Sequence, residues 1–125
     1  MSGFCGRVTN VKYYDVPLTV DDGGDEWTGI YRWDEPTQTH LMAVKNNAAA
    51  DTYLAWDDDM MAGTSDREYW WNLFTTQGKM AFRVPNKPGS TEGFYTLHME
   101  ADLSIILKYQ VGDPTDAQLW TVLDE

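Results

Sequence analysis

The sequence repeats itself. Arg7-Val8-Thr9-Asn10 returns as Ala43-Val44-Lys45-Asn46 and again as Arg83-Val84-Pro85-Asn86, roughly forty positions apart each time. The first match runs on without a gap. Asp15 falls on Asp51, Leu18 on Leu54, and Asp21-Asp22 on Asp57-Asp58, whereas the third copy carries two extra residues before Phe94-Tyr95-Thr96-Leu97. Each copy then reaches an aromatic segment: Glu26-Trp27-Thr28-Gly29-Ile30, Glu68-Tyr69-Trp70-Trp71-Asn72-Leu73 and Gln118-Leu119-Trp120-Thr121-Val122-Leu123. Three copies in one internal order predict a chain that closes on itself around a pseudo-threefold axis. A second pairing also exists, in which Pro36-Thr37-Gln38-Thr39-His40-Leu41-Met42-Ala43-Val44 matches Pro114-Thr115-Asp116-Ala117-Gln118-Leu119-Trp120-Thr121-Val122. Both pairings give three units and differ over which strand of the first is shortened.

Within each unit the pattern is that of short strands. Val16-Pro17-Leu18-Thr19-Val20, Gly29-Ile30-Tyr31-Arg32-Trp33 and Phe94-Tyr95-Thr96-Leu97-His98-Met99 are apolar or alternating runs of strand length, bounded by Gly, Pro, Asn and Asp. Asn47-Ala48-Ala49-Ala50 is the one stretch with helical preference, and it reads as a loop or a single turn. No heptad, long amphipathic helix or low-complexity linker appears. The expected fold is all-β, one domain spanning residues 1–125.

At 125 residues, with 42% hydrophobic and 14% aromatic residues and six tryptophans, the chain has ample material for one core. Its net charge of −11 repels polyanions, so nucleic acid is excluded as a partner, and anionic membrane surfaces are disfavoured. Neutral ligands and basic surfaces remain. No apolar run near the N-terminus has the length of a signal peptide and none reaches membrane-spanning length, so the expectation is a cytosolic protein without membrane insertion. Cys5 is the only cysteine, which rules out an intrachain disulfide or a thiolate zinc cluster.

Three units of about forty residues, each with an Asn-ended strand and a closing tryptophan, resemble a β-trefoil. Gln118-Leu119-Trp120 is similar to the Q-x-W signature of ricin-B-type lectin domains, and Glu68-Tyr69-Trp70 is a near match. The acidic composition and the lack of disulfides look more like the cytosolic β-trefoil lectins of fungal fruiting bodies than secreted toxins. The resemblance implies twelve strands, six in a barrel and six capping it, with approximate repeats 1–38, 39–77 and 78–125. The first unit is short between Asp22 and Trp27, and the second between Asp58 and Tyr69, for a full strand-loop-strand excursion. By register with Trp120, Trp70 is expected inward and Trp71 outward.

The same resemblance implies a function, the binding of neutral glycans or glycoproteins at shallow sites built from an aromatic plus Asp or Asn. In the third unit Tyr109 and Asp113 take the places of the stacking aromatic and its polar partner. His98 stands where the family has a sugar-binding Asp, and Thr19 and Ala55 stand there in the other copies. Independently of the resemblance, the acidic turns Asp21-Asp22 and Trp56-Asp57-Asp58 set an aromatic beside paired carboxylates, which suits a glycan or a cationic group. Neither turn has the spacing of a calcium loop. With two histidines, no nucleophile elbow and no phosphate-binding glycine loop, no enzyme, metal site or cofactor is expected. The alternative is a protein-binding trefoil, either a protease inhibitor acting through Pro85-Asn86-Lys87-Pro88-Gly89-Ser90-Thr91 or a companion subunit. A homodimer is left open.

Overall fold

The computed structural model describes residues 3–14, 16–20, 23–85 and 93–124. Among them the architecture is all-β, with ten strands: β1 (Phe4–Asn10), β2 (Glu26–Asp34), β3 (Thr39–Asn46), β4 (Tyr53–Trp56), β5 (Ala62–Ser65), β6 (Trp71–Thr76), β7 (Lys79–Pro85), β8 (Gly93–Met99), β9 (Ile105–Val111) and β10 (Trp120–Asp124). One 3-10 turn, Asp116–Gln118, precedes β10. No helix among the described residues is long and apolar enough to cross a membrane.

All strand pairings are antiparallel, and six of them close a ring. β1 pairs with β2, β2 with β3, β3 with β6, β6 with β7, β7 with β10, and β10 returns to β1 from Asn10↔Trp120 to Gly6↔Asp124. Closure leaves these strands without a free sheet edge over their paired length. The ring depends on tight turns. Between β6 and β7 only Gln77 and Gly78 separate the paired Thr76 and Lys79, and both take positive φ, the geometry that matches strand twist.

Two hairpins branch off the ring. β4–β5 follows β3, and the longer β8–β9 hairpin follows β7. The second unit therefore does make its excursion between Asp58 and Tyr69, shortened to the four residues of β5. The first unit has no strand between Val20 and Glu26 among the described residues. Its segment 16–20 is held to β1 by the Thr9↔Pro17 bridge and by the Leu18 N–H donating to the Val8 carbonyl at 2.7 Å. The two hairpins touch where the Leu107 N–H donates to the Met60 carbonyl at 2.8 Å.

The core makes one bond three times. The indole N–H groups of Trp27, Trp71 and Trp120 donate to the carbonyls of Leu18, Leu54 and Leu97 at 2.9, 3.1 and 3.2 Å. All six residues are fully buried, with Val8, Val44 and Val84 packed in the same cluster. Two of the asparagines that end the repeated segments, Asn10 and Asn46, are buried too. Asn10 donates to the Ala117 carbonyl and accepts from the Lys12 and Tyr13 amides, and Asn46 bridges Gly24 and Ala48. These bonds follow the first sequence pairing.

One expectation is reversed. Trp71, not Trp70, enters the core: it is 0% exposed, while Trp70 is half-buried with the Arg32 guanidinium 4.1 Å over its ring. The cause is a one-residue phase shift. β6 begins at Trp71, and Tyr69 packs edge-on against that indole with ring centroids 5.0 Å apart.

Candidate functional site

The β8–β9 hairpin decides where the third-unit candidates fall. His98 pairs with Ile106, Thr96 with Lys108 and Phe94 with Gln110, so these side chains share one face; Tyr95, Leu97, Leu107 and Tyr109 share the other. His98 and Tyr109 are thus on opposite faces of one hairpin. Tyr109 is 46% exposed, stands edge-on to Tyr95 at 5.4 Å, and lies over Gly93, where an added Cβ would come within 2.1 Å of its hydroxyl. Asp113 is exposed in the turn after β9, and its backbone carbonyl accepts from the Gln110 amide at 3.1 Å. Arg83, held between the rings of Phe74 and Phe94, has its pKa lowered by burial, with the Asp113 charge opposing that shift.

His98 has other company. With Lys12, Lys108, Thr115, Asp116 and Ala117 it lines an open depression of about 420 Å³. One wall is the 3-10 turn, and the glutamine of the Q-x-W segment fixes it. The Gln118 side chain accepts from the Thr115 amide at 2.9 Å, and the buried Asn10 amide grips the Ala117 carbonyl at 2.8 Å. His98 is only 8% exposed. Its Nε2 lies 3.6 Å from a Glu100 carboxylate oxygen, and its Nδ1 is buried with no hydrogen-bond partner among the described residues. Burial holds the imidazole below its ordinary pKa, Glu100 works against that, and Lys108 and Lys12 add to it. An orphaned buried nitrogen is uncommon.

The acidic turns divide. Asp21 and Asp22 lie outside the described residues, as does 86–92, the greater part of the proposed inhibitor loop. Trp56 is half-buried against the core and edge-on to Tyr69 at 6.1 Å; burial raises the Tyr69 hydroxyl's pKa, which its bond to Trp56 partly offsets. The Asp57 carboxylate accepts from the Asp59 and Met61 amides at 2.9 and 3.1 Å, and so closes the β4–β5 turn. Asp58 is exposed beside it.

An exposed tryptophan bonded to a carboxylate lies where the motifs did not indicate one. β2 and β3 run past their neighbours: β1 pairs with β2 only as far as Gly29, and β6 meets β3 only at Leu41 and Met42. On the extension Trp33 pairs with His40 and Tyr31 with Met42, which brings three rings onto one face. The His40 ring lies 4.9 Å from Trp33 and 5.8 Å from Tyr31, whose hydroxyl bonds its Nδ1 at 2.6 Å. The Trp33 indole donates to Glu35 at 2.6 Å. The available signal was Tyr31-x-Trp33 alternation followed by Asp34-Glu35-Pro36; the run was read only as a short strand.

No protein-family model matches the chain, and no curated protein matches it either.

Proposed function

We propose that this protein is a carbohydrate-binding domain of β-trefoil architecture. A closed ring of six strands, branched hairpins and a tryptophan-to-leucine bond made once in each of three successive segments support the trefoil reading. The expected partner within that class is a neutral glycan, held in the third unit.

The observation that carries the glycan reading is an open, polar depression on which Lys12, Lys108, Thr115, Asp116 and His98 converge. Sugars are read by convergent donors and acceptors on a shallow concave surface. Lys12 and Lys108 supply donors, Asp116 an acceptor and Thr115 both, beside the nearly buried His98 ring. Gln118 and Asn10 fix the wall beneath them, which lowers the ordering cost of binding.

The test is an array of neutral glycans probed with the intact protein, with His98→Ala and with Lys108→Ala. Both variants should weaken the retained signals by about tenfold, Lys108→Ala through one lost polar contact and His98→Ala through the loss of part of the lining. Binding that survives both substitutions undiminished would remove the third-unit depression from the site, and no binding by the intact protein would defeat the glycan reading.

A further inference from the structure

The extension of β2 and β3 carries a second site. We infer that the ledge formed by Tyr31, Trp33 and His40, with Glu35 at its edge, is a stacking platform for a neutral pyranose. It goes beyond the third-unit depression, with which it shares no residue.

Exposure comes first. Trp33 alone of the six tryptophans is exposed, at 43%, on an extension that the ring does not need. Trp27, Trp71 and Trp120 hold the core, and Trp56 packs against it. An indole left in water on a paired strand is an unused apolar surface of the size of one sugar face.

Rigidity is the second ground. The Glu35 carboxylate ties one edge of the indole, and the Tyr31 hydroxyl ties the imidazole. The turn below is closed by its own bonds: the Thr37 hydroxyl donates to the Asp34 carboxylate, the Thr39 hydroxyl to the Thr37 carbonyl, and Gln38 takes a left-handed conformation. The rings are therefore held in place before a ligand arrives, which is how a shallow site gains affinity.

Chemistry selects the occupant. A pyranose presents a face of C–H groups and an edge of hydroxyls. The Trp33 ring suits the face. The second oxygen of Glu35 and the Nε2 of His40 suit vicinal hydroxyls, one as acceptor and the other as donor when Nδ1 accepts from Tyr31. Asp34 and Glu35 side by side repel an anionic sugar, so the class is neutral.

The experiment is isothermal titration and a glycan array with neutral oligosaccharides, using the intact protein, Trp33→Ala, Glu35→Gln and His98→Ala. Trp33→Ala should lose about tenfold or more in affinity for ligands that His98→Ala still binds. Glu35→Gln keeps the side chain's shape and should weaken the same ligands several-fold, which guards against a folding defect in the alanine variant. Ligands bound equally by all but His98→Ala would overturn the ledge and leave the third-unit reading standing. An intact protein that binds no neutral sugar would overturn both.

Discussion

Consider Phe placed in turn at Trp27, Trp71 and Trp120. Each substitution removes the indole N–H and leaves a buried leucine carbonyl short of a partner, at 2.9, 3.1 or 3.2 Å from the lost donor. That loss costs about 1–3 kcal/mol. The void left by the smaller ring at a fully buried position adds about 1 kcal/mol. Together the expected cost is about 2–4 kcal/mol at each site. With a urea slope of about 2 kcal/mol per molar for a chain of this size, the unfolding midpoint should fall by about 1–2 M in each variant. Trp70→Phe is the control. Trp70 is half-buried, makes no such bond among the described residues and carries the Arg32 guanidinium over its ring, so its loss should cost about 1 kcal/mol or less. The readout is urea denaturation followed by far-ultraviolet circular dichroism, which does not depend on the tryptophans being removed. Three large and similar shifts with a small control are expected. A midpoint for any one core variant within a few tenths molar of the parent, or a Trp70 shift as large as that of Trp71, would refute the argument that three equivalent bonds carry the core.

Asn46→Ala should destabilise by about 2–3 kcal/mol, because it strips partners from the Gly24 carbonyl and the Ala48 amide at a residue 2% exposed; the same urea titration measures it. His98 sets a pH dependence. Its folded-state pKa is lowered by burial from an ordinary value of 6.5, so as pH falls below 6.5 the unfolded chain takes a proton that the folded chain refuses. Stability is therefore expected to fall through that window in the parent and to fall less in His98→Gln. Parallel slopes for the two proteins between pH 7 and pH 5 would show that His98 is not the group responsible.

The core was legible because it asks for the same chemistry three times. Val-x-Asn, a leucine and a closing tryptophan recur in the sequence, and the valines, leucines and tryptophans meet in one buried cluster. Phase was not legible where two large aromatics adjoin. Trp70 and Trp71 alternate across a strand whichever is inward, and only the start of β6 decides between them. The β5 strand, Ala-Gly-Thr-Ser, has almost no intrinsic strand preference; pairing with β4 imposes it. The site suffered from a similar blindness. Tyr109 and His98 stand on partner strands, so whether they share a face depends on the hairpin register, set by a turn in which Leu103 takes a φ of 72°. Nothing local in the residues states that register. The Trp33 ledge went unseen for a different reason. It uses no motif, and its meaning comes from β2 and β3 outrunning their neighbours, a property of the whole sheet.

The pairing of β1 with β10 has a consequence for biosynthesis. Thr9 and Thr121, 112 residues apart, join their hydroxyls across that seam at 3.1 Å. During translation the edge of β1 that receives β10 stays unpaired until residues 120–124 have emerged from the ribosome, while β2 and segment 16–20 cover its other edge. Contacts so distant make folding slow and hold apolar strands open to wrong neighbours meanwhile. The same seam brings the two outermost strands side by side, so a circularly permuted gene that fuses them and opens the Gln77-Gly78 turn would let the barrel close earlier.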